Sequence, residues 1–240
     1  TACVSSQVGC SLDCNFCATA RLKRMRNLEP GEIYDQVAAI DNESRLYYDR
    51  PLSNIVFMGM GEPLDNPVEV FKSIDVFHAQ TGINLSLKKI TVSTSGLIPE
   101  MYRIAQAKVR LAVSLNGYNN DVRSEVMPIN KKYPLADLLE ECKRYYRATG
   151  EKITMEYVLL AGVTDQIDHA RQLVKLLRDV PCKINLIPFN EHPGSGFTRP
   201  SDEAVQAFHT ECMNLGAQVL LRRTMGRDIF AACGQLTTKV

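Results

Sequence analysis

The 240-residue sequence has no apolar run of membrane-spanning length, no low-complexity tail and almost no excess of charge, with 28 Lys and Arg against 27 Asp and Glu. A spanning helix needs about 20 consecutive apolar residues, so a membrane function has no support. A net charge of +1 leaves any nucleic-acid partner to be met by local basic patches rather than by the field of the whole chain. No secretory leader is read at the start. Eight cysteines without one are the thiols of a reducing compartment, not a disulfide framework, and a cytoplasmic location is expected. With 45% hydrophobic and 23% charged residues, the composition is that of a globular protein, and a single domain over 1–240 is expected.

The most informative absence is that of a ligand. Cys10, Cys14 and Cys17 form a Cys-x3-Cys-x2-Cys cluster in Gly9-Cys-Ser-Leu-Asp-Cys-Asn-Phe-Cys17, and no fourth cysteine follows closely. The next is Cys142, and the nearest histidine, His78, lies in an ordinary helical stretch. Structural zinc normally closes four Cys or His ligands around the metal. An iron–sulfur cluster on three thiolates instead leaves one iron open to another ligand. The spacing permits an open iron–sulfur site, a structural zinc or a disulfide, in that order. Cys142, Cys182 and Cys212 read as small buried hydrophobes.

Short β-branched segments alternate with helical patterns, which favours parallel strands joined by helices. Strands are expected at 2–6, 54–59, 89–93, 110–115, 153–159, 183–188 and 218–223, and helices at 30–47, 67–79, 99–105, 135–149, 166–177 and 201–215. About six βα units fall short of a closed eightfold barrel. The expected fold is therefore α/β, a partial (β/α)6 TIM-type barrel with short extensions, with a doubly wound sheet as the alternative.

Catalytic residues of such barrels follow the carboxyl ends of the strands. The cysteine cluster follows the first strand, Gly59-Met-Gly61-Glu62-Pro63 the second and Ser93-Thr-Ser-Gly96 the third. Ser114-Leu115-Asn116-Gly117 follows the fourth and Pro188-Phe-Asn190 the sixth. Turn chemistry alone accounts for any one of these; together they suggest one polar, glycine-rich mouth. Basic residues also occur in short runs, Arg21 to Arg26 beside the cluster, Lys88-Lys89, Lys131-Lys132 and Arg222-Arg223, each read singly as solvated surface.

The cluster, with Phe16 before its last cysteine, resembles the mark of radical S-adenosylmethionine (SAM) enzymes. That resemblance implies a [4Fe–4S] cluster on Cys10, Cys14 and Cys17, with SAM chelated to the open iron. It also implies that Gly61 and Glu62 form the segment that meets the SAM amino group, a carboxylate facing an ammonium. By the same resemblance, Ser93, Ser114, Leu115, Asn116 and Asn190 are expected to supply the remaining SAM contacts, Asn116 standing where relatives usually have His.

A narrower resemblance spans the chain. Cys3-Val-Ser-Ser-Gln-Val-Gly-Cys10, Met58-Gly-Met-Gly-Glu-Pro-Leu64, Met127-Pro-Ile-Asn-Lys-Lys-Tyr133, Cys182-Lys-Ile-Asn-Leu-Ile-Pro188 and Asp228-Ile-Phe-Ala-Ala-Cys-Gly-Gln-Leu236 are similar to the RlmN/Cfr group of RNA adenosine methyltransferases, nearer its RlmN branch. The resemblance implies methylation of C2 of an adenosine in 23S rRNA, with tRNA as a second substrate; C8 methylation or a non-RNA substrate is the alternative. Adenine C2 is electron-poor, so a radical route is required and the cofactor carries the hard step. By resemblance, Cys233 becomes an S-methylcysteine, the RNA is bound covalently through it, and Cys3 releases the product by forming a disulfide with Cys233. An external electron donor such as flavodoxin is implied, and a monomer is expected. The group's amino-terminal accessory domain, which carries the glutamate proposed as base for C2, is expected to be lacking. The target adenosine must be unstacked to be reached, and Arg21 to Arg26 are expected to hold RNA phosphates near the mouth.

Overall fold

The computed structural model describes residues 1–223 and 225–237. Its elements follow in the order β1 (Ala2–Cys3), β2 (Gln7–Val8), β3 (Arg26–Asn27), α1 (Pro30–Tyr48), β4 (Ile55–Phe57), α2 (Pro67–His78), β5 (Ile90–Thr94) and α3 (Ile98–Gln106). Then come β6 (Arg110–Ser114), α4 (Asn120–Val126), α5 (Leu135–Thr149), β7 (Ile153–Leu159), α6 (Ile167–Leu176), β8 (Cys182–Pro188), α7 (Asp202–Asn214) and β9 (Val219–Leu221). Local chemistry sets the helix ends. Pro30 opens α1 behind a reciprocal capping box between Glu29 and Glu32, and Gly150, at φ +70°, closes α5 by donating to Tyr146 O.

Seven strands form one parallel sheet in the order β1-β4-β5-β6-β7-β8-β9. Each strand lies beside the next across a helical crossover, and β1 and β9 are left as edges, so the sheet is a curled, open half-barrel. All seven expected strands are present: that at 153–159 has its expected bounds, that at 89–93 is shifted by one residue, that at 183–188 starts one residue earlier, and the others are shorter by one to three residues. The sequence pattern missed α4 and the small antiparallel pair β2–β3, both too short for a periodic signal.

Strand alternation sorts the side chains. Ile90 and Val92 of β5, Leu111 and Val113 of β6, Met155 and Tyr157 of β7, and Ile184 and Leu186 of β8 face the helices in one continuous core. Tyr157 stacks on Phe208 of α7 with ring centroids 5.7 Å apart. The intervening positions face the lumen, and there the residues turn polar: Ser93, Ser114, Glu156 and Asn185. A parallel strand packed on both faces reads apolar throughout; polar inner positions mark a lumen that is a site rather than a core.

Candidate active site at the mouth of the half-barrel

The lumen opens at the C-terminal ends of the strands into a cavity of about 1050 Å³ that is continuous with solvent. Cys10, Cys14 and Cys17 line it together with Gly61, Glu62, Ser93, Ser114, Asn116, Asn190 and Cys233. Leu115 alone among the expected cofactor contacts stays away: its side chain is fully buried in the helix-facing core, and its carbonyl accepts from Arg123 Nε at 2.9 Å. Strand alternation points the neighbours Ser114 and Leu115 to opposite sides.

The cysteine loop is tied down at both flanks. A Cβ on Gly9, at φ +77°, would lie 1.8 Å from Lys23 O, so only glycine lets the two segments cross. Asn15 N donates to Val126 O at 3.0 Å, and its side-chain amide to Glu125 O. Ala18 N donates to Gly234 O at 2.8 Å, and Thr19 Oγ1 to Leu236 O at 2.6 Å. These last two bonds join residues more than 200 positions apart and bring Cys233 beside the trio. Among the described residues, no three His, Cys, Asp or Glu side chains converge where one metal ion would sit. The three thiols line one shared cavity. Burial pushes Cys10 up to about 11 and Cys14 higher still, so the metal itself must supply the charge that favours the thiolates.

Glu62 is 2% exposed. Its Oε1 accepts from Leu64 N at 3.2 Å and its Oε2 from Ser95 N at 2.7 Å. Burial pushes this carboxyl up, against the pull of those bonds. Gly61 adopts φ +96°, and a Cβ there would lie 2.6 Å from Gln7 Cβ. Gln7 in turn accepts from Glu62 N at 3.0 Å. The glycine therefore packs the loop onto the first segment, which aims the carboxylate. Asn116 is committed to the fold, with Oδ1 accepting from Val158 N at 2.9 Å and Nδ2 directed at Met127 Sδ at 3.3 Å. Asn190 is different. Its Nδ2 donates to Cys233 O at 3.0 Å, while its buried Oδ1 has no partner among the described residues.

Cys3, at the end of β1, and Cys233 line a second, smaller cavity of about 540 Å³. Ile187, Asn190, Arg222 and Cys233 border both cavities. Cys233 thus stands on the wall between the three-thiol site and Cys3. Cys3 is exposed as a residue, yet the protein around its thiol pushes it up to about 11, with Cys233 adding to the rise and Arg222 opposing it. Burial also raises Cys233, again against Arg222.

The sequence reading missed three residues here. Glu156 is a buried carboxyl on the lumen face of β7 that accepts from Asn185 Nδ2 at 2.7 Å; a lone charge in an otherwise apolar strand was its only signal. Arg222 was grouped with solvated surface, but it lines both cavities 4.0 Å from Glu156. Arg123 carried no signal, because α4 is too short to show a buried face. The basic run behaves differently from expectation. Arg24 pairs with Asp65 at 2.7 Å, and Arg26 holds both Glu32 oxygens, at 2.6 and 2.7 Å. Arg21 is bonded to the carbonyls of Pro193 and Gly194. Most of this cationic run is thus spent on the protein's own carboxylates and carbonyls.

A parallel half-barrel whose mouth spreads three thiols and a buried carboxylate around one open cavity is the core of an iron–sulfur radical enzyme. The chain belongs to the radical SAM superfamily, whose family model, "Radical SAM superfamily", matches residues 4–174, and within it to the RlmN family. It is 65% identical over 99% of its length to "Dual-specificity RNA methyltransferase RlmN" of Bdellovibrio bacteriovorus, spanning 59% of that protein. It is 53% identical over its whole length to "Probable dual-specificity RNA methyltransferase RlmN" of Flavobacterium johnsoniae, spanning 69% of it. A crystal structure of a radical SAM methyltransferase from Sphaerobacter thermophilus superposes with a TM-score of 0.94 at 44% identity, over 97% of this chain and 69% of that one. The family's cofactors are a [4Fe–4S] cluster and SAM, and the residues present fit both: three thiols around one cavity, and, lining that same cavity, the buried Glu62 carboxylate and an Asn190 oxygen that is buried and without a partner among the described residues.

Proposed function

We propose that this chain is the catalytic core of an RNA methyltransferase that adds a methyl group to C2 of an adenosine, in 23S rRNA and in tRNA. The observation that carries the reading is the position of Cys233 on the wall between the three-thiol cavity and the cavity of Cys3. When bound, SAM would supply the methyl group and, with an electron from the cluster, the radical that activates it. Cys10, Cys14 and Cys17 hold the cluster, while Gly61, Glu62, Ser93, Ser114 and Asn190 orient SAM. Asn116 serves by holding β7 in register with the mouth. The Cys233 thiolate would accept the first methyl by displacement; the radical that SAM supplies would then take one hydrogen atom from that S-methyl group, and the resulting S–CH2 radical would add to adenine C2. Once the adduct had passed one electron back to the oxidised cluster and its C2 proton to a base, the Cys3 thiolate would attack the Cys233 sulfur. The S–S bond forms as the C–S bond breaks, and the methylene carbon keeps the electron pair and takes up a proton. A low-potential one-electron donor of the flavodoxin type and a reducing cytoplasm complete the reading, in which the chain acts as one domain and as a monomer. Among the described residues, no helix is long and apolar enough to cross a membrane.

The test is to express the chain anaerobically, measure the mass of the peptide carrying Cys233, and then supply SAM, reductant and an rRNA fragment to Cys3→Ala. A methyl on Cys233 and a protein–RNA crosslink that accumulates in Cys3→Ala are expected. Free methylated RNA from Cys3→Ala would rule out its resolving role, and a product methylated at C8 would reassign the position.

A further inference from the structure

Arg123 is among the largest fully buried side chains of the described residues, 0% exposed. Every bond of its guanidinium goes to a neutral oxygen: Nε to Leu115 O at 2.9 Å, Nη1 to Asn130 Oδ1 at 2.9 Å, and Nη2 to Ser95 O at 2.7 Å and Ser114 O at 3.2 Å. A charge buried without a counter-charge is costly. Burial lowers Arg123 to about 10, and the groups whose negative charge opposes this are the thiols of Cys14, first, and Cys142; no carboxylate is among them. Cys142 is itself pushed up to about 12 and stays neutral. Only Cys14, once it binds metal, becomes an anion.

The geometry is built for this pairing. Helix α4 carries Arg123, and its last turn accepts both amide groups of Asn15, the residue after Cys14. Ser95 and Ser114, whose carbonyls hold Nη2, line the same cavity as Cys14. Gly117 brings the loop after β6 against Arg123, since a Cβ there would lie 2.6 Å from Arg123 Cβ. A 2+ cluster core on three thiolates carries one net negative charge, and each added electron raises it by one; net charge and hydrogen bonding set such potentials.

We propose that Arg123 is the built-in counter-charge of the iron–sulfur cluster, fixed by neutral oxygens beside the Cys14 loop, where it favours the reduced and more anionic state. The inference rests on the cluster assignment. The test is an EPR-monitored redox titration of reconstituted protein without SAM, comparing wild type with Arg123→Gln and Arg123→Lys at equal iron and sulfide content. Loss of the charge is expected to lower the reduction equilibrium by about tenfold, which is about 59 mV toward negative potential for one electron. Arg123→Lys, which keeps the charge, is expected to stay near wild type. An Arg123→Gln midpoint equal to wild type overturns the inference, and so does a Lys variant that shifts as far as Gln. If Arg123→Gln does not hold its iron, Asn130→Asp replaces it, setting a carboxylate against Nη1; a negative shift supports the inference and an unmoved midpoint overturns it. Wild-type chain that takes up no four-iron cluster would overturn the cofactor assignment and this inference together. A normal cluster indifferent to Arg123 would overturn the inference alone.

Discussion

Arg222 Nη1 lies 4.0 Å from Glu156 Oε2, reaching from beyond β9 past β8 to β7, and the guanidinium borders the cavities of both Cys3 and Cys233. Asn185 on the intervening strand holds the carboxylate at 2.7 Å. One cation therefore faces two thiols and opposes, without cancelling, the rise that burial gives them.

Replacing Arg222 with Gln is expected to raise both thiols further and to move their alkylation-rate profiles to higher pH. A cation stabilises the thiolate, so its loss leaves less thiolate at any fixed pH. Half a pKa unit would slow alkylation at pH 8 by about threefold. Peptide-resolved alkylation kinetics check this, with Cys182 as the internal control. Equal slowing of Cys182 would trace the effect to general loosening instead.

The basic run beside the cluster is expected to contribute less to RNA binding than its charge count suggests. Arg24 and Arg26 are ion-paired, so the combined substitution of Lys23, Arg24 and Arg26 by Gln should flatten the slope of log affinity against log salt by only about 0.7, as for one phosphate contact on a single strand. A loss near three times that size would show that both ion pairs open for RNA.

The same pairing fixes a titration. Arg26, through its hydrogen bonds, is the largest influence holding Glu32 down at about 2. The carboxyl is depressed, so its stabilising contribution is present above the ordinary value of 4.5 and is lost as pH falls through about 2. In Arg26→Gln, the Glu32 carboxyl followed by NMR should titrate back toward the ordinary carboxylate range. A midpoint that stays low would assign the depression to the Glu29 amide.

Gly61→Ala should disturb the site through packing. At φ +96° a side chain is strained, and the new Cβ would lie 2.6 Å from Gln7 Cβ. A cost of about 1–3 kcal/mol is expected, read as a lower denaturant midpoint together with weaker SAM binding, because Gln7 also holds the Glu62 amide. Unchanged stability would mean that the loop relaxes freely and that Glu62 is positioned by Leu64 and Ser95 alone.

How far the sequence could be read depends on the range of the interaction. Alternation and period are local, so the seven strands, the longer crossover helices and the strand ends at which the candidates fall were legible from neighbouring residues. The cysteine spacing was legible too, since three ligands on one short loop need no fold to bring them together. The meeting of Cys3 and Cys233 was implied by resemblance and by no local pattern, and two things came only from tertiary structure: the bonds from Ala18 and Thr19 to Gly234 and Leu236, and the burial of Arg123 without a carboxylate among the described residues. Each joins segments far apart in the chain, and their cost or gain depends on desolvation, which no local pattern records. For the same reason Arg24 and Arg26 read as free cations until Asp65 and Glu32 were found beside them. The sequence by itself determined which groups do chemistry and on which strand ends they sit. Only the folded chain decided which charges face one another and which of those groups share a cavity.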